Sequence, residues 1–430
     1  MTKRIIVIGA GFAGLMSALA AKRLINMNFQ QTSEPAEDIE VVVIAPEEKL
    51  VVRPRLYEEN VADMSAPLGQ LFNTTGVRFL QGNVESIEVE TQQVVSVNVT
   101  GVRSTIGYDR LVLAAGSDNI LPASVPGLKE HSFAVDHLER AVQLEEHLKN
   151  LPLLPAALAR NTIVVCGGGY TGLELAAELP GRLAKITGLG SDTRVIVIER
   201  ADVIGPDLPV DMRPLVLQTL ERLGVEVKLG TAITGIDAGG VTTSAGEHIE
   251  TLTPVWTAGT VATPLTQQIP GEKDAFGRLM VETDLRCPQA KAVFAAGDTA
   301  CARTDDHSDD DDDDDAAATH PQYTKMSCQH AMPMGRYAGH NAAADLLGRP
   351  TLRYSQVMLG TVLDLGRDDA VFVARCGDEA AIALSGAAAK PLKRWINETL
   401  IYPPSADDLA GALEAGNPAN RTVIPAGLGC

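Results

Sequence analysis

Two six-residue glycine patterns are the segments of this 430-residue chain best suited to chemistry. The first, Gly9-Ala10-Gly11-Phe12-Ala13-Gly14, follows an apolar run at 5–8. The second, Gly167-Gly168-Gly169-Tyr170-Thr171-Gly172, follows an apolar run at 162–165. In such a turn the first glycine allows the tight bend, and the second carries no side chain to block a diphosphate. The third lets the following helix pack close to its sheet. The helix N-terminus then offers free N–H groups to the diphosphate. One such pattern is weak evidence, but two, each between a strand and a helix, specify two dinucleotide sites. Hydride chemistry needs that pair, because a donor nucleotide must be held face to face with an acceptor cofactor.

An acid closing the second strand of such a unit accepts hydrogen bonds from a ribose diol and repels a 2′-phosphate. Glu199 stands there in the second unit and favours NADH, while the adjacent Arg200 leaves NADPH open. In the first unit Ala45-Pro46 takes that place, so Glu47 either reaches the ribose or is a solvated loop residue. A third signal is Val293-Phe294-Ala295-Ala296-Gly297-Asp298, a buried strand that ends in a carboxylate beside the first site.

With these three motifs in order, the chain resembles the flavoproteins with two dinucleotide-binding domains. It is most similar to type II NADH dehydrogenases and apoptosis-inducing-factor-like NADH oxidoreductases, over roughly residues 1–400. The resemblance implies FAD on the first fingerprint and NADH, or NADPH, on the second. It matches 111–116 (LVLAAG, with Ala115 and Gly116) and Trp256-Thr257-Ala258-Gly259 to the family's paired strand ends. It also gives Asp298 to the FAD ribityl chain and Glu174 to the nicotinamide–flavin contact. Arg53-Pro54-Arg55-Leu56-Tyr57-Glu58 resembles the segment whose proline packs beside the flavin ring. Its two arginines depart from that pattern, and Arg55 is expected at the cofactor, facing a more anionic acceptor. Cys328-Gln329-His330-Ala331-Met332-Pro333 is similar to the start of the quinone-site helix. Gln329 and Ala331 match, whereas Pro333 replaces a glutamine. Pro54, Glu174 and Gln329 are therefore the expected catalytic residues.

The elements that must position these residues read as strand, glycine turn, helix and strand, twice. In the first unit they fall at 5–8, 13–25 and 41–44, with a polar loop over 28–38. In the second they fall at 162–165, 173–183 and 195–198. A meander is predicted at 78–79 and 84–99, a strand at 293–296 and a helix over 329–347 that stops at Gly348-Arg349-Pro350. The expected fold is α/β: two Rossmann-like domains, the second inserted in the first, plus a small C-terminal α+β domain. The expected boundaries are 1–135 with 262–348 for FAD, 136–261 for NAD(P)H, and 349–430 for the C-terminal unit. Ala389, Leu392, Trp395, Ile396, Thr399 and Leu400 follow helical spacing beside Lys390, Lys393 and Arg394. That helix suits either packing, including a homodimer face, or peripheral contact with a membrane.

The formal net charge is −19, and part of it is an acidic run at 305–306 and 309–315 that reads as a solvated loop, with His307 as a bystander. The acidic body argues against a nucleic-acid partner. Six cysteines at 166, 287, 301, 328, 376 and 430 form no CxxC, and the cysteine that disulfide reductases carry beside the flavin is missing. The thiols suggest a cytoplasmic protein, peripheral to the inner face of a membrane if the surface helix docks there. No signal peptide, metal site or spanning helix is expected. The acceptor is expected to be quinone-like. The rivals are an electron-transfer protein of the ferredoxin or rubredoxin kind, and a non-enzymatic FAD/NADH sensor.

Overall fold

Near-continuous apolar runs form the strands of parallel sheets covered on both faces. Both runs that precede a glycine turn behave this way. Ile5, Ile6 and Val7 are fully buried in the Lys3–Ile8 strand, as are Ile163, Val164 and Val165 in Thr162–Cys166. The computed structural model describes residues 2–32, 39–186, 192–304, 323–356, 360–376 and 379–420. The acidic run, with His307, and Cys430 lie outside these residues.

Lys3–Ile8 pairs in parallel with Ile39–Ala45 on one side and Arg110–Leu113 on the other. Ala290–Ala295 and Arg286–Cys287 extend the sheet beyond Arg110–Leu113, and Arg78–Gln81 closes the other edge. A second sheet has the same logic. Thr162–Cys166 lies between Arg194–Ile198 and Thr253–Trp256, with Val225–Lys228 and Phe133–Ala134 outermost. In each sheet the strand order reverses at the strand that leads into a glycine turn, and ligands of open α/β sheets bind at that point. Phe133–Ala134 joins the second sheet just ahead of the boundary expected at 136. The chain leaves the first unit through Ser117–Asn119 and returns through Thr260–Ala262, and these two segments pair antiparallel.

Two sequence expectations change. The Phe12–Thr32 helix continues well beyond residue 25 and takes in 28–32 of the expected polar loop, while 33–38 lie outside the described residues. The expected meander divides: Arg78–Gln81 enters the parallel sheet, while Asn83–Glu88, Gln93–Val97 and Arg103–Gly107 form a separate antiparallel sheet.

The Cys328–Leu346 helix lies directly against Phe12–Thr32, and small residues make the contact possible. A Cβ on Gly335 would sit 2.2 Å from the Ala13 carbonyl oxygen, and one on Gly339 would sit 2.0 Å from that of Ser17. Gly335→Val forces the two backbones apart and is expected to cost about 3 kcal/mol, seen as a lower melting temperature with partial loss of flavin. A variant that melts like the parent would show that this crossing is loose.

In the C-terminal unit Gly360–Asp364, Ala370–Cys376 and Glu379–Gly386 form an antiparallel sheet. Alternate residues face opposite ways. Leu363, Val371 and Val373 join the core of the second unit, while Phe372 and Ala374 pack against Leu392, Trp395 and Ile396. The predicted surface helix is Lys390–Trp395, continued by an Ile396–Leu400 turn. Its lysines correct the sequence reading. Lys390 and Lys393 are 9% and 5% exposed and point inward, so Arg394 alone of the three basic residues faces solvent. Among the described residues no helix is long and apolar enough to cross a membrane.

Candidate functional site

The first glycine turn is shaped by what each position excludes. Gly9 has φ +106°, a left-handed conformation that favours glycine, and a Cβ there would lie 2.3 Å from the Ala114 carbonyl oxygen. A Cβ on Gly14 would lie 1.9 Å from the Gly9 carbonyl oxygen. Gly11 is different: nothing lies within 4 Å of its Cβ position, so it faces open space at the start of a 21-residue helix. Phe12 and Ala13 are buried beneath it. Beside this turn opens a cavity of about 400 Å³ lined by Gly9, Ala45, Pro46, Glu85, Ala115 and Thr263, among others. These features fit a dinucleotide diphosphate on the helix N-terminus with its nucleoside in the cavity. The carboxylate in the cavity wall is Glu85, not Glu47; Glu47 pairs with Lys49 at 2.9 Å on the surface.

The third motif comes to the same place. A Cβ on Gly297 would meet the Cβ atoms of Ala13 at 2.9 Å and Ala331 at 3.4 Å, so the first fingerprint, the Gly-Asp turn and the Cys328–Leu346 helix converge. Asp298 Oδ2 accepts the Ser117 hydroxyl at 2.6 Å and lies 3.8 Å from Arg53 Nη1. Arg53 also donates to the Ser117 carbonyl oxygen at 3.2 Å, and it is the nearest side chain to Gly116. Arg53, not Arg55, thus stands beside Asp298. Arg55 is engaged by both Glu58 oxygens and by the Tyr402 hydroxyl at 3.0 Å. Pro54 sits half-buried between them in a single 3₁₀ turn.

The second turn repeats the design. Gly167 has φ +123° and presses on Ala258, and a Cβ on Gly172 would lie 2.0 Å from the Gly167 carbonyl oxygen. Gly169 again has nothing within 4 Å, at the start of the Tyr170–Ala184 helix. Tyr170 is half-buried and Thr171 exposed at that opening, and Gly259 packs on Ile120 across the turn. Glu199 accepts the Gly168 N–H at 2.7 Å and the Ala201 N–H at 2.8 Å. An ionised carboxylate has about four lone-pair sites, so two remain for a diol.

A buried charged cluster lies where the C-terminal unit packs on the Tyr170–Ala184 helix. Glu174 is 8% exposed; its Oε1 accepts the Asp364 backbone N–H at 3.0 Å and lies 2.8 Å from Lys393 Nζ. Burial pushes the Glu174 carboxyl above the usual carboxylate range, and Lys393 opposes that shift. Gln329 is exposed at the helix start, where its side-chain amide donates to the Gly360 carbonyl oxygen at 3.2 Å and its backbone carbonyl accepts from the Gln356 side chain. Ala331 is buried two residues on. Burial pushes the His330 imidazole down to about 4, so it is neutral at pH 7 and adds no charge here. The Cys328 thiol is pushed up to about 11 by burial and is therefore not a thiolate.

The sequence reading missed Lys390, Lys393 and Asp364. Their signal was the three-residue spacing of the lysines, which places both on one helix face. An ordinary amphipathic helix gives the same signal.

Two nucleotide cradles joined by a two-stranded crossing, with a buried acid on the helix of the second, define a two-Rossmann flavoprotein oxidoreductase. Residues 3–335 match the family model described as pyridine nucleotide-disulphide oxidoreductase, and the chain belongs to that family. It is 39% identical to a NADH dehydrogenase-like protein of Mycobacterium tuberculosis, over 96% of this chain and 98% of the relative. It is 31% identical to the demethylphylloquinone reductase of a Synechocystis species, over 91% of each chain. The solved structure of NDH2 from Plasmodium falciparum in complex with NADH superposes with a TM-score of 0.75 at 14% identity. It covers 97% of this chain and 98% of that one, a likeness of fold. The protein is an FAD-dependent oxidoreductase of the NADH dehydrogenase kind, with FAD and NADH as its cofactors.

Proposed function

We propose that the protein oxidises NADH and passes the electrons to a quinone-like acceptor, so that NADH, quinone and one proton give NAD⁺ and quinol. The observation that carries this reading is the pair of open glycines, Gly11 and Gly169, with the Glu174–Lys393 pair buried on the helix that follows the second. FAD, when bound, would supply the two-electron relay between donor and acceptor. Gly9, Gly11, Phe12, Ala13 and Gly14 would hold its diphosphate, with Ala115 and Gly116 beside it and Gly297 and Asp298 for its ribityl chain. Gly167, Gly169, Tyr170, Thr171 and Gly172 would hold the NADH diphosphate, Glu199 its ribose, and Gly259 would form the far wall. Glu174 would serve at the nicotinamide, and Pro54, Gln329 and Ala331 at the acceptor side. Hydride transfer needs alignment and no protein acid. Quinol formation takes up one proton from solution, and a buried carboxyl raised above its usual range is suited to relay it.

The test is a purified yellow protein assayed with NADH and NADPH across a panel of quinones and dyes. Turnover confined to a ferredoxin- or rubredoxin-type protein, with a salt-dependent rate, would transfer the reading to a protein acceptor. Flavin reduction without turnover on anything would make the protein a sensor. Removing the Glu199 carboxylate deletes charged hydrogen bonds to the ribose, and Glu199→Ala is expected to raise KM for NADH about tenfold. NADPH should suffer less, and equal losses on both nucleotides would remove Glu199 from the ribose.

A further inference from the structure

The Glu174 carboxylate is fixed largely from outside its own helix. Its two near partners, the Asp364 N–H and Lys393, come from the C-terminal unit. Asp364 is itself locked: its Oδ2 accepts the Tyr57 hydroxyl at 2.9 Å, and its Oδ1 pairs with Lys390. Lys390 also donates to the Gly366 carbonyl oxygen at 2.6 Å. Asn397 lies between the Tyr57 hydroxyl and Glu58. Glu174, Asp364, Lys390, Lys393 and Asn397 are all buried, and Tyr57 joins them from the segment that carries Pro54. Two carboxylates and two ammoniums therefore share one dry cluster built by all three parts of the chain.

We propose that Asp364 is a second carboxylate coupled to Glu174, and that Lys390 and Tyr57 are the positioning residues that hold it there. This rests on the reading of Glu174 as the acid at the nicotinamide. The backbone of Asp364 places Glu174 by donating to it, while the charge of Asp364 opposes the ionisation of Glu174 and that of Lys393 favours it. The other groups in reach of Glu174 are Tyr170 on its own helix, Tyr57 and Cys328, while Glu178 and, beyond it, Glu59 face Asp364 and Lys390 from the other side. Arg182 faces Glu178. Lys390 compensates Asp364, with Glu178 in reach of both, and deleting either member of that pair changes the field at Glu174.

The signs of the two deletions are opposite. Asp364→Asn keeps the volume and the backbone N–H but removes a negative charge, so Glu174 should lose its proton about one pH unit lower. Lys390→Met removes the compensating cation, so Glu174 should lose its proton about one unit higher. The readout is the carboxylic-acid band in pH-difference infrared spectra of the FAD-bound protein without NADH, assigned to Glu174 by its loss in Glu174→Gln. The acid limb of kcat/KM should move with it. Lys390→Arg should return the midpoint, and if Lys390→Met does not fold, Asp364→Asn alone decides the sign.

Midpoints that stay put, or that move the same way in both variants, would reduce Asp364 and Lys390 to structural packing and overturn the proposal. The reading of Glu174 fails separately: Glu174→Gln would then leave NADH oxidation and its pH profile unchanged.

Discussion

Gly11→Asp should give a folded but colourless protein. Nothing lies within 4 Å of a Cβ at this position, so the substitution has no steric reason to disturb the fold. Its carboxylate would point to where the diphosphate meets the helix N-terminus. Two unit charges 4 Å apart near a protein surface repel by roughly 4 kcal/mol, which weakens FAD binding by about a thousandfold. The contrast is Gly14→Val. A Cβ there lies 1.9 Å from the Gly9 carbonyl oxygen, so fold and flavin should fail together. The ratio of flavin to protein absorbance, with circular dichroism of the same preparations, separates the two outcomes. A Gly11→Asp protein that purifies with full flavin would place the diphosphate elsewhere.

The second large effect is expected of Lys393→Met, which leaves the Glu174 carboxyl buried without its cation. Breaking a buried ion pair from one side costs about 3–5 kcal/mol. The loss has a defined pH dependence. Burial already raises Glu174, and removing Lys393 raises it further. A carboxyl whose folded value lies above its unfolded value stabilises the fold only while protonated, and that stability is lost as pH rises through the folded value. The deficit should therefore be largest at about pH 8 and shrink towards about pH 5, closer to the unfolded carboxyl value. Urea unfolding at the two pH values measures it. A deficit independent of pH would mean that Lys393 acts through packing alone.

The sequence made the frame of the protein legible because each cradle is local. A short apolar strand, three glycines at fixed spacing and a helix are read within some twenty residues, and no distant partner is needed to interpret them. Gly9, Gly14, Gly167 and Gly172 stand against backbone atoms as the pattern requires. The charged cluster was illegible for the opposite reason. Lys390 and Lys393 look like the wet face of an amphipathic helix, and only the C-terminal sheet turns them inward. The arginines of 53–58 posed a similar problem: a 3₁₀ turn sends Arg53 to Asp298 and Arg55 to Glu58, and alternation along the sequence does not reveal which goes where.

Asp364 follows Glu174 by 190 residues, and the two lysines come later still. A growing polypeptide therefore exposes the acid to its own nascent interior long before the ribosome has delivered the counter-charges. Closing so long a loop costs entropy before the contact can offset it. Until then nothing offsets the burial of Glu174, so this cluster is complete only once the C-terminal unit has docked.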